Sequence, residues 1–145
     1  MLIQSREITH PDVTALIRAA ERELAERYPH EAPSPVDPLA RFAIAYVRGE
    51  AVGCGAVVTV APGVGEIKRM WVHPDHRRAG IARRILAALE RQAERMDISL
   101  LILETGLRQP EAISLYEGHG YTRTEPYGEY VGNPTSVCYE KKIPR

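Results

Sequence analysis

The segment from Glu66 to Glu104 constrains the fold more than any other part of this chain. It begins with the strand-like stretch EIKRMWV, continues through an arginine-rich loop and an amphipathic helix, and ends with the apolar run ISLLILE. A helix that connects two neighbouring strands of one sheet in this way makes them parallel, and such connections are right-handed. The apolar run is typical of a central strand covered on both faces. The segment therefore predicts helices packed against a sheet that contains a parallel pair.

Hydrophobic periodicity and turn residues predict the remaining elements. A helix, or a broken pair of helices, is predicted over roughly residues 10–28. The stretch from Tyr28 to Pro38 holds four prolines and is predicted to be a loop. A β-hairpin, a short helix and two closing strands are predicted for RFAIAYVRGEAVGCGAVVTV, PEAISLYEGHG, YTRTEPY and SVCYEKKI. The length suits a single domain with a substantial core, which we assign to residues 1–145.

Charge and composition exclude several classes of partner. Lysine plus arginine and aspartate plus glutamate number 19 each, so no overall field attracts nucleic acid or an anionic membrane. No apolar stretch has the length of a membrane-spanning helix, and the N-terminus lacks the pattern of a signal peptide. Cys54 and Cys138 are far apart and form no CxxC pair, which suggests a reducing compartment. We therefore predict a cytoplasmic protein with neither a nucleic-acid nor a membrane partner.

The loop HPDHRRAG, residues 73–80, is predicted to bind an anion. A helix that begins near Gly80 leaves its first backbone N–H groups unpaired at the positive end of the helix dipole, and glycine lets the backbone approach a ligand closely. A phosphate group is the natural ligand of such a site. The alternative is a solvated arginine face that balances acids on the same helix. Six cations lie in this region of a neutral chain: Lys68, Arg69, Arg77, Arg78, Arg83 and Arg84.

Other phosphate, metal or nucleophile sites find little support in the sequence. It contains no GxxxxGK[ST] loop, and Gly63-Val64-Gly65 has neither a third glycine nor a helix behind it. His73 and His76 form an HxxH pair without further ligands at the usual spacing, so no metal is predicted. No GxSxG elbow indicates a hydrolase.

The segment Arg77–Ala82 resembles the [Q/R]-x-x-G-x-[G/A] loop of GNAT-type N-acetyltransferases. The surrounding order is similar to that family too, since AISLYEGHGY follows the second parallel strand and resembles the family's A-x-x-L-Y-x-x-x-G-[F/Y] helix. The resemblance implies the GNAT acyl-CoA N-acyltransferase fold, an α+β fold in α/β/α layers with a mixed sheet of about six to seven strands. It further implies that the parallel pair splays apart and that acetyl-CoA is the cosubstrate, with no metal.

The same resemblance implies which residues bind acetyl-CoA. The backbone amides of the segment 78–82 would hold the diphosphate, and the guanidinium group of Arg77 or Arg78 would add charge-assisted hydrogen bonds. The full set of implied cofactor-binding residues is Met70, Trp71, Val72, Arg77, Arg78, Ala79, Gly80, Ile81, Ala82 and Gln109.

The strand before the loop and the helix after the second strand supply the other implied contacts. Met70 and Val72 look like the positions whose backbone pairs with the pantetheine arm, while the side chain of Trp71 would point into the core. A strand N–H near Met70 or Trp71 would meet the oxyanion that develops during the reaction. Gln109 stands where the family's helix usually begins with asparagine.

The attack of an amine on a thioester needs one base and one acid. The protonated amine must first lose a proton, and the departing thiolate benefits from a proton donor, since the thiol of free cysteine has a pKa of about 8.5. Tyr116 matches the family's tyrosine that faces the sulfur, and its place on the helix need not share the burial of Ile113 and Leu115. Glu66 lies eleven residues before Arg77, the spacing of the base in protein-lysine acetylating members of the family. The alternative for Tyr116 is a core tyrosine. The alternatives for Glu66 are a residue that only lines the acceptor pocket, and a water relay that takes the proton in its place.

The resemblance leaves the acceptor open, because members of the family acetylate antibiotics, polyamines, amino acids, peptide N-termini and lysines. The acceptor pocket is predicted from the N-terminal helix, the loop of residues 28–38 and the segment YGEYVGN with Tyr127 and Tyr130. We predict an N-acetyltransferase for the primary amine of a small-molecule or amino-acid-like acceptor. The alternatives are acetylation of protein lysines or N-termini, and a non-catalytic acyl-CoA-binding module. The oligomeric state is left open, with a homodimer as one option.

Overall fold

The computed structural model describes residues 1–32 and 35–144, and within them the chain forms one seven-stranded mixed sheet and three α-helices. The strands are β1 (Leu2–Arg6), β2 (Arg41–Val47), β3 (Glu50–Ala61), β4 (Val64–Val72), β5 (Leu100–Gly106), β6 (Thr122–Thr124) and β7 (Ser136–Lys142). The helices are α1 (Pro11–Arg27), α2 (Ile81–Arg95) and α3 (Pro110–Gly118). The strand order is β1-β2-β3-β4-β5-β7-β6, with β4 parallel to β5. The predicted layered α+β fold is confirmed, and β1 is an element that the sequence pattern did not predict.

The sheet separates two hydrophobic clusters. On one face, which we call the α2–α3 face, the fully buried residues Ile85, Leu86 and Leu89 attach α2 to the strands. On the other, the α1 face, Val13 and Leu16 of α1 pack against side chains of β2 and β3. Burial of these apolar side chains is the main favourable contribution to folding. Each side chain of the central strands therefore belongs to one of two separate environments.

The strands β4 and β5 separate towards their carboxyl ends. They pair from Val64 opposite Leu100 to Ile67 opposite Leu103, and no further. Beyond this point β4 remains bonded to β3, and β5 remains bonded to β7. Residues 68–72 and 104–106 consequently border an opening, which we call the gap, and the strand edges along it carry backbone groups without a strand partner. The predicted splay of the parallel pair is confirmed.

A β-bulge shapes the β4 side of the gap. The register between β3 and β4 shifts between Cys54 and Ala56, and Arg69 in β4 has a positive φ of 61°. The thiol of Cys54 donates a hydrogen bond to the carbonyl of Arg69 at 3.2 Å. Burial raises the pKa of Cys54 to about 12, so this thiol stays protonated and keeps its role as a donor. Both Cys54 and Cys138 are free and buried.

Candidate active site

The loop of residues 73–80 connects β4 to the N-terminus of α2 and lies beside the gap. Gly80 directly precedes the helix with a φ of 77°, a left-handed conformation that glycine adopts without strain. The first bond of the helix runs from the N–H of Arg84 to the carbonyl of Gly80 at 3.2 Å. Among the described residues, the N–H groups of Ile81 and Ala82 find no acceptor. These groups have the arrangement that binds an anion at a helix N-terminus.

The cations near this helix end differ in what they contact. Arg77 is engaged, because its Nε donates to the carbonyl of Val72 at 2.8 Å and its Nη2 donates to Glu23 at 2.6 Å. Arg69 is also engaged, with Nη1 donating to Glu21 at 2.9 Å. The remaining arginines are exposed and make no ion pair with any residue in the described part of the chain: Arg78, Arg83 and Arg84. Of the two arginines predicted to contact a diphosphate, Arg78 therefore has the available guanidinium group.

The β4 edge of the gap has the backbone geometry that an extended ligand requires. The N–H of His73 donates to the carbonyl of Val52 in β3 at 2.8 Å. Because the backbone groups of successive strand residues point to opposite edges, those of Val72 and Met70 point away from β3 and towards the gap. Trp71 packs on the α1 face, whereas Met70 and Val72 pack on the α2–α3 face. The opposite orientation predicted for Trp71 is thus observed.

Glu66 is a buried carboxylate on the α1 face, next to the point where the pairing of β4 with β5 ends. It is 7% exposed, and its Oε2 accepts a hydrogen bond from the hydroxyl of Tyr127 at 2.9 Å. The Nζ of Lys68 lies 3.9 Å from Oε1. Burial and the charge of Glu66 raise the pKa of Tyr127, so its hydroxyl remains a neutral donor. This oriented carboxylate can take a proton from a cationic amine.

Glu104 is a second carboxylate on the α1 face and was not selected from the sequence. It lies in β5 two residues beyond Ile102, the partner of Glu66, so both side chains leave the sheet on the same face. The hydroxyl of Ser136 donates to Oε2 of Glu104 at 2.6 Å. Burial raises the pKa of Glu104, and the bond from Ser136 partly offsets that rise. Glu104 is the last residue of the apolar run ISLLILE and lies near the carboxyl end of a parallel strand. This position is the signal that could have identified it.

Segments predicted to line the acceptor pocket gather around these two carboxylates. The rings of Tyr127 and Tyr130 meet edge to face, with centroids 5.4 Å apart. Burial, followed by the charges of the nearby glutamates, raises the pKa of Tyr130. Thr135 donates to Glu31 at 3.3 Å, which brings the start of the predicted 28–38 loop to this side of the molecule. Pro33 and Ser34 of that loop lie outside the described residues.

Tyr116 is the buried residue of α3, with 5% of its surface exposed. Its ring packs against those of Tyr121 and Tyr139, at centroid distances of 5.9 and 6.4 Å. Ile113 and Leu115 are less buried than Tyr116. The expectation that Tyr116 escapes the burial of these neighbours is therefore wrong, because α3 turns the tyrosine towards the core.

The hydroxyl of Tyr116 nevertheless differs from those of its two neighbours. Tyr121 and Tyr139 each donate to a glutamate, at 2.9 and 2.8 Å. The hydroxyl of Tyr116 has no partner in residues 1–32 or 35–144, and no side-chain nitrogen or oxygen in those ranges is both fully buried and unpartnered. The oxygen therefore keeps a small exposure to solvent although the ring is buried. Burial, with a smaller contribution from the charge of Glu104, raises the pKa of Tyr116.

Three further features bear on expectations from the sequence. Gln109 directly precedes α3; its backbone N–H donates to the carbonyl of Gly106 at 3.0 Å, and its side chain makes no capping bond. In the HxxH pair, the Nδ1 atom of His73 accepts a hydrogen bond from the N–H of Asp75 at 3.1 Å. The described residues contain no group of three side chains that could together hold a metal ion. No helix within that part of the chain has the length and apolarity needed to cross a membrane.

Comparison with known proteins identifies relatives along nearly the whole chain. A model of the acetyltransferase (GNAT) family matches residues 10–121. A protein of Azospirillum brasilense named IAA acetyltransferase is 38% identical over 138 residues, which cover 90% of this chain and 90% of the relative. The crystal structure of a candidate acyl-CoA N-acyltransferase from Klebsiella pneumoniae is 34% identical, with a TM-score of 0.84 over 98% of this chain and 97% of the other. A GNAT family acetyltransferase from Elizabethkingia anophelis, solved with acetyl-CoA bound, shares the fold at 18% identity and a TM-score of 0.74, over 98% and 97% of the two chains.

Proposed function

The chain belongs to the acetyltransferase (GNAT) family and is an N-acetyltransferase, and on this premise we propose that it transfers the acetyl group of acetyl-CoA to the primary amine of a small cationic acceptor. The observation that carries this proposal is the pair of carboxylates, Glu66 and Glu104, on the α1 face where β4 and β5 separate. Two acidic side chains beside one opening favour a positively charged ligand. A protonated amine is such a ligand.

The residues around the gap fit acetyl-CoA as the donor. The unpaired N–H groups at the start of α2 and the exposed guanidinium group of Arg78 suit a diphosphate. The backbone of Met70 and the N–H of Val72 suit the amides of the pantetheine arm, because an open strand edge pairs with an extended amide chain. The carbonyl of Val72 already accepts from Arg77. The relative from Elizabethkingia anophelis binds acetyl-CoA, which supports the same donor here.

The proposed mechanism uses Glu66 and Tyr116 on opposite faces of the sheet. Glu66 takes a proton from the ammonium group of the acceptor, either directly or through a water molecule. The freed nitrogen attacks the thioester carbonyl carbon; a C–N bond forms, the C–S bond breaks, and the nitrogen releases its second proton to solvent. Tyr116 donates a proton to the departing sulfur and regains one from solvent. Since burial raises the pKa of Tyr116, its hydroxyl is protonated at neutral pH, as a donor must be.

A screen of amine acceptors with acetyl-CoA, with release of free thiol as the readout, tests the proposal. We expect diamines and amino-acid amides, which carry net positive charge, to have higher kcat/KM than amines that bear a carboxylate. A higher kcat/KM for lysine peptides or peptide N-termini would identify a protein acetyltransferase instead. Binding of acetyl-CoA without thiol release for any acceptor would support the non-catalytic module.

Replacing Glu66 by glutamine should slow the chemical step and leave the affinity for acetyl-CoA nearly unchanged. Glutamine keeps the size of the side chain and still accepts the hydrogen bond from Tyr127, but it cannot take up a proton. For Glu66→Gln we expect kcat to fall by about tenfold and the Kd of acetyl-CoA to change less than about twofold. The acidic limb of kcat/KM against pH should flatten as well. An unchanged rate with an unchanged limb would assign Glu66 a structural role.

Replacing Glu104 by glutamine should weaken acceptor binding. The variant removes the charge of one of the two carboxylates beside the gap, so we expect Glu104→Gln to raise the KM of a cationic acceptor by about tenfold. Glu140→Gln is the matched control, because Glu140 lies on neighbouring β7 opposite Ile102, farther from the gap than Glu104. Equal acceptor KM values for the Glu104 variant and the wild type would remove this residue from the acceptor site.

The same Glu104 variant should alter the dependence of stability on pH. Because the pKa of Glu104 is raised in the folded state, the folded protein binds this proton more tightly than the unfolded chain does. The free energy of unfolding of the wild type should therefore decrease as pH rises through the range just above the ordinary glutamate value. Glu104→Gln should lack this decrease and melt no lower than the wild type at neutral pH. Thermal melts from acidic to neutral pH measure the difference.

A further inference from the structure

Glu23, in the C-terminal half of α1, connects three parts of the structure through one carboxylate. Its Oε1 accepts hydrogen bonds from Nη2 of Arg77 at 2.6 Å and from the indole N–H of Trp71 at 3.3 Å. Its Oε2 lies 3.3 Å from Nη2 of Arg27, one turn further along the helix. Glu23 therefore ties α1 both to the end of β4 and to the loop of residues 73–80.

Arg27 extends these contacts to the other side of the gap. Its Nη1 lies 2.5 Å from a carboxylate oxygen of Glu111, in the first turn of α3. Its backbone carbonyl accepts from the guanidinium group of Arg108 at 3.1 Å. The side chains Arg77, Glu23, Arg27 and Glu111 thus form a continuous series of contacts, which we call the ion-pair chain. It runs from the loop that follows β4 to the helix that follows β5.

Arg77 is the loop end of the ion-pair chain, and its guanidinium group has two partners. Nε holds the carbonyl of Val72 at 2.8 Å while Nη2 holds Glu23. A planar guanidinium group with donors on different nitrogens can fix two partners at once, which a single ammonium group does poorly. The Arg77 and Glu23 side chains are 30% and 24% exposed, so this pair is better shielded from solvent than an ordinary surface ion pair.

We propose that Glu23 is a positioning residue for acetyl-CoA binding. It acts through Arg77 to hold the loop of residues 73–80 in the conformation that presents the backbone N–H groups of residues 78–82. The inference rests on the proposed function, because it takes this loop as the diphosphate site. Arg77 then contributes by bracing the loop, while the direct cationic contact belongs to Arg78.

The first test compares Glu23→Gln with Glu26→Gln on the same helix. Glu26 is exposed and has no partner among the described residues, so its variant controls for the loss of one negative charge from α1. We expect Glu23→Gln to raise the Kd of acetyl-CoA by about tenfold in calorimetry, with kcat at saturating acetyl-CoA within about twofold of wild type. The control should bind like the wild type. Unchanged affinity in Glu23→Gln, or an equal loss in the control, would overturn the inference.

The second test uses Arg77→Lys, which keeps the charge of the loop and so guards against a Glu23 variant that does not fold. A bracing role predicts a loss of affinity of about tenfold, because an ammonium group cannot hold both partners of the guanidinium group. Adding Glu23→Gln to Arg77→Lys should then cause little further loss, since the two residues act as a unit. Wild-type affinity in Arg77→Lys would overturn the inference, because charge alone would then suffice.

Wild-type binding of acetyl-CoA distinguishes this inference from the proposed function. If the wild type bound no acetyl-CoA, the proposed function would fail and the positioning role with it. If the wild type binds and the Glu23 and Arg77 variants bind equally well, only the positioning role fails.

Discussion

Tyr116→Phe should turn over about 10²-fold more slowly than the wild type and bind acetyl-CoA with unchanged affinity. The substitution removes one oxygen and keeps the ring that packs against Tyr121 and Tyr139. Because the hydroxyl makes no hydrogen bond within the described residues, its loss should hardly change the melting temperature. Steady-state kinetics, acetyl-CoA titration and thermal melting on one preparation separate these effects.

Tyr121→Phe provides the matched control for this prediction. Tyr121 belongs to the same ring cluster, but its hydroxyl donates to Glu90 at 2.9 Å. Its removal should therefore destabilise the fold by about 1 kcal/mol and leave kcat within about twofold of wild type. Tyr116→Phe should thus lose turnover and keep its stability, whereas Tyr121→Phe should lose stability and keep its turnover. If Tyr116→Phe retained wild-type turnover, the departing thiolate would have to take its proton from water, and Tyr116 would be a core residue only.

Gly80→Val should abolish measurable binding of acetyl-CoA, a loss of about 10²-fold or more in affinity. Apart from its two chain neighbours, no described residue would have an atom within 4 Å of a Cβ atom at Gly80, so the new side chain would project into open space beside the helix N-terminus. Under the proposed function, we expect a diphosphate to approach the N–H groups of Ile81 and Ala82 through this space. The valine also strains the backbone, because the φ of 77° is unfavourable for a β-branched residue.

The control variant Gly49→Val separates the effect of backbone strain from the effect of blocking the proposed diphosphate site. Gly49 lies in the turn between β2 and β3, has a φ of 81°, and likewise offers open space to a Cβ atom. Both variants should lose stability to a similar extent, about 1–2 kcal/mol from the left-handed conformation. Calorimetry should then find normal acetyl-CoA binding in Gly49→Val and none in Gly80→Val. Undiminished binding in a folded Gly80→Val protein would remove the loop of residues 73–80 from the cofactor site.

Local patterns were sufficient to predict most of the fold. The crossover from β4 through α2 to β5 follows from a strand, a helical stripe and an apolar run in close succession, and the observed pairing of β4 with β5 is parallel. The helix predicted over roughly residues 10–28 is α1, Pro11–Arg27. The strand β1 was missed because its sequence LIQSR shows little alternation, and it exists through its pairing with β2, some forty residues away.

Sequence patterns predicted the part of the candidate site that is formed by the loop of residues 73–80 and the start of α2. They predicted less about the side chains that β5 and α3 contribute. Gly80 and the unpaired N–H groups of α2 follow from a glycine placed before a helical stripe, a signal contained in a few neighbouring residues. The burial of Tyr116 depends on how α3 lies against the sheet, which helical spacing alone does not specify. Glu104 shares a face with Glu66 because β4 and β5, which α2 separates in the chain, pair in one particular register.

Local sequence therefore decides every described α-helix and all the described strands but β1, and it also decides where an unpaired helix end lies, because hydrophobic period, turn residues and helix caps act over a few residues. Tertiary structure decides which charges remain available to a ligand. Nothing in the local pattern distinguishes Arg77 from Arg78, yet Arg77 is held by Glu23, 54 positions earlier, while Arg78 is exposed. The physical reason is that an ion pair needs two groups within a few ångströms of each other, and only the packing of α1 against β3 and β4 brings Glu23 to Arg77.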